Sequence, residues 1–216
     1  RPFAIDALAQ GAVLLRVESF AVTANNVTYA VMGDSFGYWN FFPAPEGWGI
    51  VPMWGHAVVE ASEHPDIAVG ERVYGYLPMA SHLRVEPGNI SAGSFSDMAA
   101  HRQPMSPIYN QYRRLANDPA HDPDREAQRM IFQPLFGTSF LIEAMFTKEA
   151  WFGANTLVMT SASSKTALAL AHVARAKAPQ VRRIGLTSAG NTDFVVSCGL
   201  YDEVLAYNEI EKLAGR

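Results

Sequence analysis

Asn155-Thr-Leu-Val-Met-Thr-Ser-Ala-Ser-Ser-Lys-Thr-Ala-Leu168 is the stretch on which the fold turns. Asn155 to Thr160 reads as a compact buried strand, and Lys165 to Lys177, rich in Ala and Leu, reads as a helix that ends before Pro179. The corner between them holds only small residues. A buried strand, a small-residue turn and a helix start bring free backbone N–H groups to one point, where the helix dipole favours a phosphate. Small side chains let a pyrophosphate approach the backbone, and Ala167 and Ala171 let the helix pack closely on its sheet. On this reading Ser161, Ala162, Ser163, Ser164, Lys165 and Thr166 form a cofactor-binding turn, with hydroxyl donors at 163, 164 and 166 and a positive charge at 165. The plainer alternative is an ordinary capped helix after a strand.

Two motifs fail here. The glycine fingerprint of dinucleotide folds is absent, because no glycine stands between Gly153 and Gly185. Lys165-Thr166 has the ending of a P-loop, but Met159 and Ser164 stand where its glycines belong.

Working outward, the last third continues as strand and helix in alternation. Val181 to Thr187 is a second strand, Asn191 or Thr192 caps a short helix ending at Gly199, and Asp202 to Ala206 is a third strand. No acidic residue follows the second strand before Asp193, where one would bind a ribose 2′-hydroxyl. Thr187, Ser188 and Asn191 are the candidates to face the ribose, and their small size leaves room for a 2′-phosphate. NADP is therefore expected, with NAD left open. Upstream, Phe136, Phe140, Leu141 and Met145 mark a helical face.

The first third reads as β structure: 11–20, 50–51, 57–60, 71–77 and 81–85, divided by Gly and Pro. Short strands at this spacing suggest a small, partly open barrel. Residues 91–130 read differently, with a turn starting at Ser94–Asp97, a helical turn at 109–115, a loop at 117–124 and a helix opening at 125–131. The expectation is a surface insertion over about 95–130. The domains are then 1–130 and 131–216.

Composition excludes several classes. The 216 residues are 49% hydrophobic, 18% charged and 11% aromatic, with net charge −4, so there is no footprint for nucleic acid or an anionic membrane. Apolar stretches fall short of the ~20 residues that span a bilayer, and no secretory signal opens the chain. Cys198 is the only cysteine, so no internal disulfide can form, and a reducing, cytoplasmic setting is expected. The six histidines (56, 64, 82, 101, 121 and 172) show no ligand spacing, and no zinc or other metal is expected. No G-x-S-x-G elbow surrounds Ser161, Ser163 or Ser164, which disfavours a hydrolase.

Two polar and aromatic clusters, 25–29 and 109–112, carry Asn amides and Tyr hydroxyls able to orient a carbonyl or donate a proton. Turn residues with half-buried rings are the plainer reading. Trp39, Phe41, Phe42, Trp48 and Trp54 could line a pocket or fill a loop core.

The order of elements resembles the medium-chain dehydrogenase/reductase superfamily and, more narrowly, the DUF2855 family. The likeness is carried by Leu15 to Tyr29, by Gly33-Asp34, and by Pro52-Met-Trp-Gly-His56 with Gly70-Glu-Arg-Val73, which is similar to the G-H-E…G-D-R-V pattern. The small-residue corner, Leu186-Thr-Ser188, and Gly199-Leu-Tyr-Asp-Glu-Val-Leu-Ala-Tyr207, similar to L-G-A-D-x-V-x-x-Y, complete it. The resemblance implies a GroES-like β-barrel substrate domain followed by a partial Rossmann-type parallel α/β domain. It adds Tyr207 to the cofactor-binding set. Ala24 stands where zinc-dependent members carry a cysteine ligand, and Ala57 replaces the Glu of G-H-E. That implies the zinc-free reductases, which pass hydride from NADPH to an activated alkene or quinone, with Asn25, Asn26 and Tyr29 in the catalytic positions.

The expected activity is hydride transfer from NAD(P)H to a quinone, enone or other carbonyl compound. The alternative is a non-catalytic member of the same fold that binds a nucleotide or metabolite. The expected partner is a small-molecule substrate, with no nucleic acid and no membrane, and a homodimer is left open. The superfamily's nucleotide domain has six parallel strands, whereas two or three follow residue 154 here. With Arg1 in place of Met at the start, a C-terminally truncated fragment is expected.

Overall fold

Alternation of apolar residues builds the first sheet. In β1 (Val13–Phe20), Val13 and Leu15 are fully buried and Val17 packs beside them. The segment after it, expected as a turn, is a helix, α1 (Ala24–Val31). Next comes β2 (Pro52–Ser62), which extends the strand expected at 57–60 in both directions, whereas Ile50-Val51, also expected as a strand, lies before it and is not one. Gly55 makes its continuity workable: a Cβ there would lie 2.2 Å from the carbonyl oxygen of Ser19, at the point where β1 and β2 shift register.

The remaining strands are β3 (Arg72–Pro78), β4 (His82–Val85), β5 (Pro87–Gly88), β6 (Ser94–Asp97) and β7 (Gln111–Arg114). All pair antiparallel, in the order β4-β1-β2-β3-β7-β6-β5. β4 and β5 are the two edges of this sheet, yet Glu86 alone separates them in the chain. The sheet must therefore curl back on itself, and one core confirms it: Val85 of β4, Phe95 of β6 and Tyr112 of β7 share a cluster with Val13, Leu15, Val59 and Val73. This is the GroES-like barrel.

The stretch expected as an insertion thus supplies two barrel strands. Ser94–Asp97 is a strand and not a turn, and Gln111–Arg114 is a strand and not a helical turn. Each is four residues long and sends in one aromatic ring (Phe95 or Tyr112), too short a pattern to announce its period. The barrel floor also holds a buried ion pair. Arg102, fully buried, donates to Asp97 (3.1 Å), Asn110 (3.0 Å), Tyr112 (2.7 Å) and the Tyr109 carbonyl (2.5 Å).

The structure is a computed structural model that describes residues 7–214, and the chain divides into two compact units between Ile131 and Phe132. That junction lies inside α2 (Glu126–Lys148), one helix running through Pro134. Its first turns dock on the barrel: Glu126 accepts from Arg72 at 2.7 and 3.0 Å and lies 2.8 Å from a His121 ring nitrogen, and Arg129 pairs with Asp118. Helical segment Pro123–Lys148, 26 residues with a mean hydropathy of 1.2 in its most apolar window, is long and apolar enough to cross a membrane. That is a statement of length and composition only.

The second unit continues with β8 (Thr156–Met159), α3 (Lys165–Lys177), β9 (Arg182–Thr187), α4 (Thr192–Ser197) and β10 (Glu203–Ala206). Its sheet is parallel, in the order β10-β9-β8. Leu170 and Ala171 of α3 pack on Met159 with Ile142 of α2 alongside, and the buried carboxylate of Glu143 pairs with Lys177 at 2.9 Å. Parallel strands joined by helices at these positions form a partial Rossmann-type domain.

Candidate functional site

The corner between β8 and α3 has three distinct supports. Ser161 adopts a left-handed backbone (φ 49°), a conformation that costs a non-glycine residue about 1 kcal/mol. Its N–H donates to the hydroxyl of Tyr207 at 2.7 Å. Ala162 is fully buried, donates its N–H to the Leu186 carbonyl at 3.0 Å, and accepts from the Tyr201 hydroxyl at 3.0 Å. Ser164 caps α3, its hydroxyl accepting from the Ala167 N–H at 3.2 Å while its own N–H donates to the Ser161 carbonyl at 2.7 Å.

These bonds use the amides of 161, 162, 164 and 167. Among the described residues, the amides of Ser163, Lys165 and Thr166 donate to no protein acceptor. Three free donors stand at the start of a 13-residue helix, with the Lys165 ammonium on its first turn, an arrangement that favours an anion. Tyr207 is half-exposed, and hydrogen bonds with Ser161 hold its phenol below the usual range.

Close approach here does not come from a glycine in the turn. Gly185, on the neighbouring strand β9, supplies it: a Cβ at 185 would stand 2.9 Å from the Ala162 methyl and 3.0 Å from the Tyr201 ring. The sequence reading missed Gly185 and Tyr201. Gly185 had a signal, as the first glycine after Gly153, but only strand pairing reveals what it faces.

At the tip of β9, Thr187 is buried with its hydroxyl 3.5 Å from that of Ser163, and the Asn191 amide donates to the Ser163 hydroxyl at 3.2 Å. The structure thus gathers Ser163, Thr187 and Asn191. Ser188 is exposed beside them, its carbonyl accepting from the Asn191 N–H at 2.9 Å. Thr166 directs its carbonyl to the Ser139 hydroxyl of α2 at 2.8 Å.

The catalytic candidates of the first unit lie on α1. Asn26 is buried, and its side chain is fully engaged: it accepts from the Thr23 N–H (2.6 Å) and donates to the Pro52 carbonyl (3.0 Å) and the Met53 sulfur (3.1 Å). It holds the helix to β2. Asn25 and Tyr29 are half-buried. Burial pushes the Tyr29 phenol up, the phenols of Tyr109 and Tyr38 add to this, and the Asn25 side chain pulls it back. Such a phenol stays protonated near neutrality and acts as a hydrogen-bond donor.

Tyr29 belongs to an aromatic group: its ring lies 4.5 Å from that of Tyr38 and 6.2 Å, edge-on, from that of Tyr76. Trp54, Phe41, Phe42 and Tyr109 pack onto Tyr76. Of the expected pocket aromatics, Phe41, Phe42 and Trp54 join this group. Trp39 packs against Gly33 and Gly49 instead, and Trp48 stands 78% exposed. Within the second polar cluster, Tyr109 faces the aromatic group, while Asn110 and Tyr112 serve Arg102.

His56, in the G-H-E-like segment, is fully buried in β2, and among the described residues neither ring nitrogen has a partner. Burial lowers its pKa to about 4, against the pull of Glu126. No group of three His, Cys, Asp or Glu side chains is gathered to hold a metal ion among the described residues.

A sequence model of the family described as protein of unknown function, DUF2855, matches residues 20–216. A search of curated proteins gave no match. Among solved structures, CurA from Vibrio vulnificus in complex with NADPH superposes with a TM-score of 0.58 at 16% identity, over 99% of this chain and 55% of that one. Human synaptic vesicle membrane protein VAT-1 homolog-like protein gives 0.53 at 13% identity, over 98% and 58%. The quinone oxidoreductase from Thermus thermophilus, also solved with NADPH, gives 0.50 at 16% identity, over 99% and 57%. The chain spans little more than half the length of these relatives in fold. At such identities the likeness establishes the fold alone, a barrel followed by a Rossmann-type sheet.

Proposed function

Because this chain belongs to the DUF2855 family, a group without an assigned reaction, we propose from its geometry that the protein is a zinc-independent, NADPH-dependent oxidoreductase that reduces a quinone, enone or other conjugated carbonyl. The observation that carries the reading is the trio of free amides at Ser163, Lys165 and Thr166, opening α3 beside the buried Ala162–Gly185 contact. Bare donors, a small-residue approach and a nearby ammonium fit a dinucleotide's pyrophosphate. NADPH complexes among the structures of like fold support the same cofactor.

When bound, the reduced nicotinamide supplies the hydride. The chain's own residues bind and orient. Amides 163, 165 and 166 hold phosphate oxygens, and Lys165 adds positive charge. Ser188 and Asn191 border the ribose, where the lack of an acidic residue before Asp193 leaves space for the 2′-phosphate. Tyr29, its phenol kept protonated by burial, donates a hydrogen bond to the carbonyl oxygen that gains negative charge, and Asn25 orients that phenol. Asn26 fixes α1 against β2, so its contribution is to place Tyr29.

The test is titration of the full-length gene product with NADPH, followed by a screen for NADPH oxidation with quinones and enals. Saturable binding with turnover is expected. Saturable binding without turnover on any such acceptor would replace this reading with a nucleotide-binding, non-catalytic one. Failure to bind NADPH, NADH or ATP would remove the nucleotide function altogether.

A further inference from the structure

Ser161 sits in the left-handed region at a point where its Cβ is unwelcome, within a turn that contains no glycine. Something outside the turn must hold that conformation. Two phenols flanking the far edge strand of the sheet do so. Tyr207, directly after β10, accepts the Ser161 N–H at 2.7 Å, and Tyr201, before β10, donates to the Ala162 carbonyl at 3.0 Å. The turn is thus gripped on two adjacent residues, one through its donor and one through its acceptor. The Ala162 N–H is taken by Leu186 at 3.0 Å, and Gly185 leaves the space in which Ala162 and the Tyr201 ring meet.

We infer that Tyr207 and Tyr201 are positioning residues that brace the Ser161–Ser164 turn in the shape that exposes the amides of 163, 165 and 166, a task a glycine in the turn would do by its own backbone freedom. This rests on the cofactor-binding reading of that turn and assigns the phenols a role through the backbone. Tyr201 is half-buried and Tyr207 half-exposed, so removal of either hydroxyl leaves the ring packing in place. Glycine has no left-handed penalty, so Ser161→Gly makes the brace at Tyr207 dispensable.

The experiment compares wild type, Tyr207→Phe, Tyr201→Phe, Ser161→Gly and the double variant Ser161→Gly/Tyr207→Phe. It uses two readouts: amide hydrogen exchange across residues 160–166 without ligand, and the NADPH dissociation constant. Tyr207→Phe and Tyr201→Phe are expected to speed exchange at the turn and to weaken NADPH binding roughly fivefold to tenfold, the loss of one hydrogen bond each. Measured against Ser161→Gly, the double variant should lose less affinity than Tyr207→Phe loses against wild type. Unchanged exchange in both Phe variants overturns the brace, as does an equal loss of affinity from Tyr207→Phe in the two backgrounds. Tighter NADPH binding by Tyr207→Phe also overturns it, because the phenol would then be competing with phosphate for the Ser161 amide. If wild type binds no NADPH, the functional reading fails while the exchange readout still decides the brace.

Discussion

Gly185 on β9 lies directly against the methyl group of Ala162, so close that a Cβ at 185 would stand 2.9 Å from it. Dinucleotide folds place such closeness in the turn by means of glycines. Here the neighbouring strand yields the room, and the turn keeps its serines.

Gly185→Ala should therefore lower stability by about 1–3 kcal/mol through overpacking and should weaken NADPH binding as the turn is pushed outward. Gly190→Ala is the control: nothing lies within 4 Å of a Cβ there, and a change below about 0.5 kcal/mol is expected. Urea unfolding of both variants, with NADPH titration alongside, distinguishes a strained turn from a generally weakened domain.

The buried His56 predicts an acid-sensitive barrel. Its pKa is lowered to about 4 in the folded state by burial, while the unfolded chain titrates near 6.5. Below 6.5 the unfolded state binds the extra proton, so stability falls as pH drops from about 6.5 towards 4, by up to about 3 kcal/mol. Glu126, held down to about 2 chiefly by its hydrogen bond from Arg72, contributes stability that is lost only below its own unfolded value near 4.5. Unfolding free energies at pH 7.0 and 5.0 in wild type and His56→Leu check this: the loss should shrink in the variant, and an identical loss would refute the assignment.

Asp97 and Arg102 form an ion pair with both side chains buried. Asp97 also accepts from the backbone N–H groups of Glu86 and Ala99, each at 3.1 Å. Asp97→Ala leaves the guanidinium charge buried without its carboxylate and should cost about 3–5 kcal/mol. Equilibrium unfolding measures it, and a cost below about 1 kcal/mol would mean water reaches Arg102.

Asn26 and Tyr29, three residues apart on α1, should separate stability from chemistry. Asn26→Ala strips the bonds to Thr23, Pro52 and Met53 and is expected to cost about 1–3 kcal/mol of stability. Tyr29→Phe should leave the melting temperature nearly unchanged and lower kcat by about 10–100-fold, with a smaller change in KM. Equal kcat in wild type and Tyr29→Phe would remove the phenol from the reaction.

What could be read from sequence followed the length of each pattern. Thr156–Met159, Lys165–Lys177 and Arg182–Thr187 were legible because apolar runs and an Ala-rich helix carry their periods over several residues. Ser94–Asp97 and Gln111–Arg114 were not, since one inward aromatic in four residues defines no period, and their place depends on pairing with β3 far along the chain. The helix at Ala24–Val31 hid behind Asn and Thr, whose side chains also favour turns. Partners contributed from other strands were out of reach: nothing local in Tyr201, Tyr207 or Gly185 says that each meets the backbone or methyl of residues 161 and 162.

Glu86, standing alone between β4 and β5, makes the seam of the barrel its shortest loop. Bringing those two edges together consumes almost no chain entropy, because they are covalent neighbours from the start. The demanding search is elsewhere, at Val13 and Val85, where β1 must find β4 across the intervening chain. The barrel's rate of assembly is therefore set by that long-range encounter, and lengthening the Glu86 junction should slow folding far less than lengthening the connection between β1 and β2.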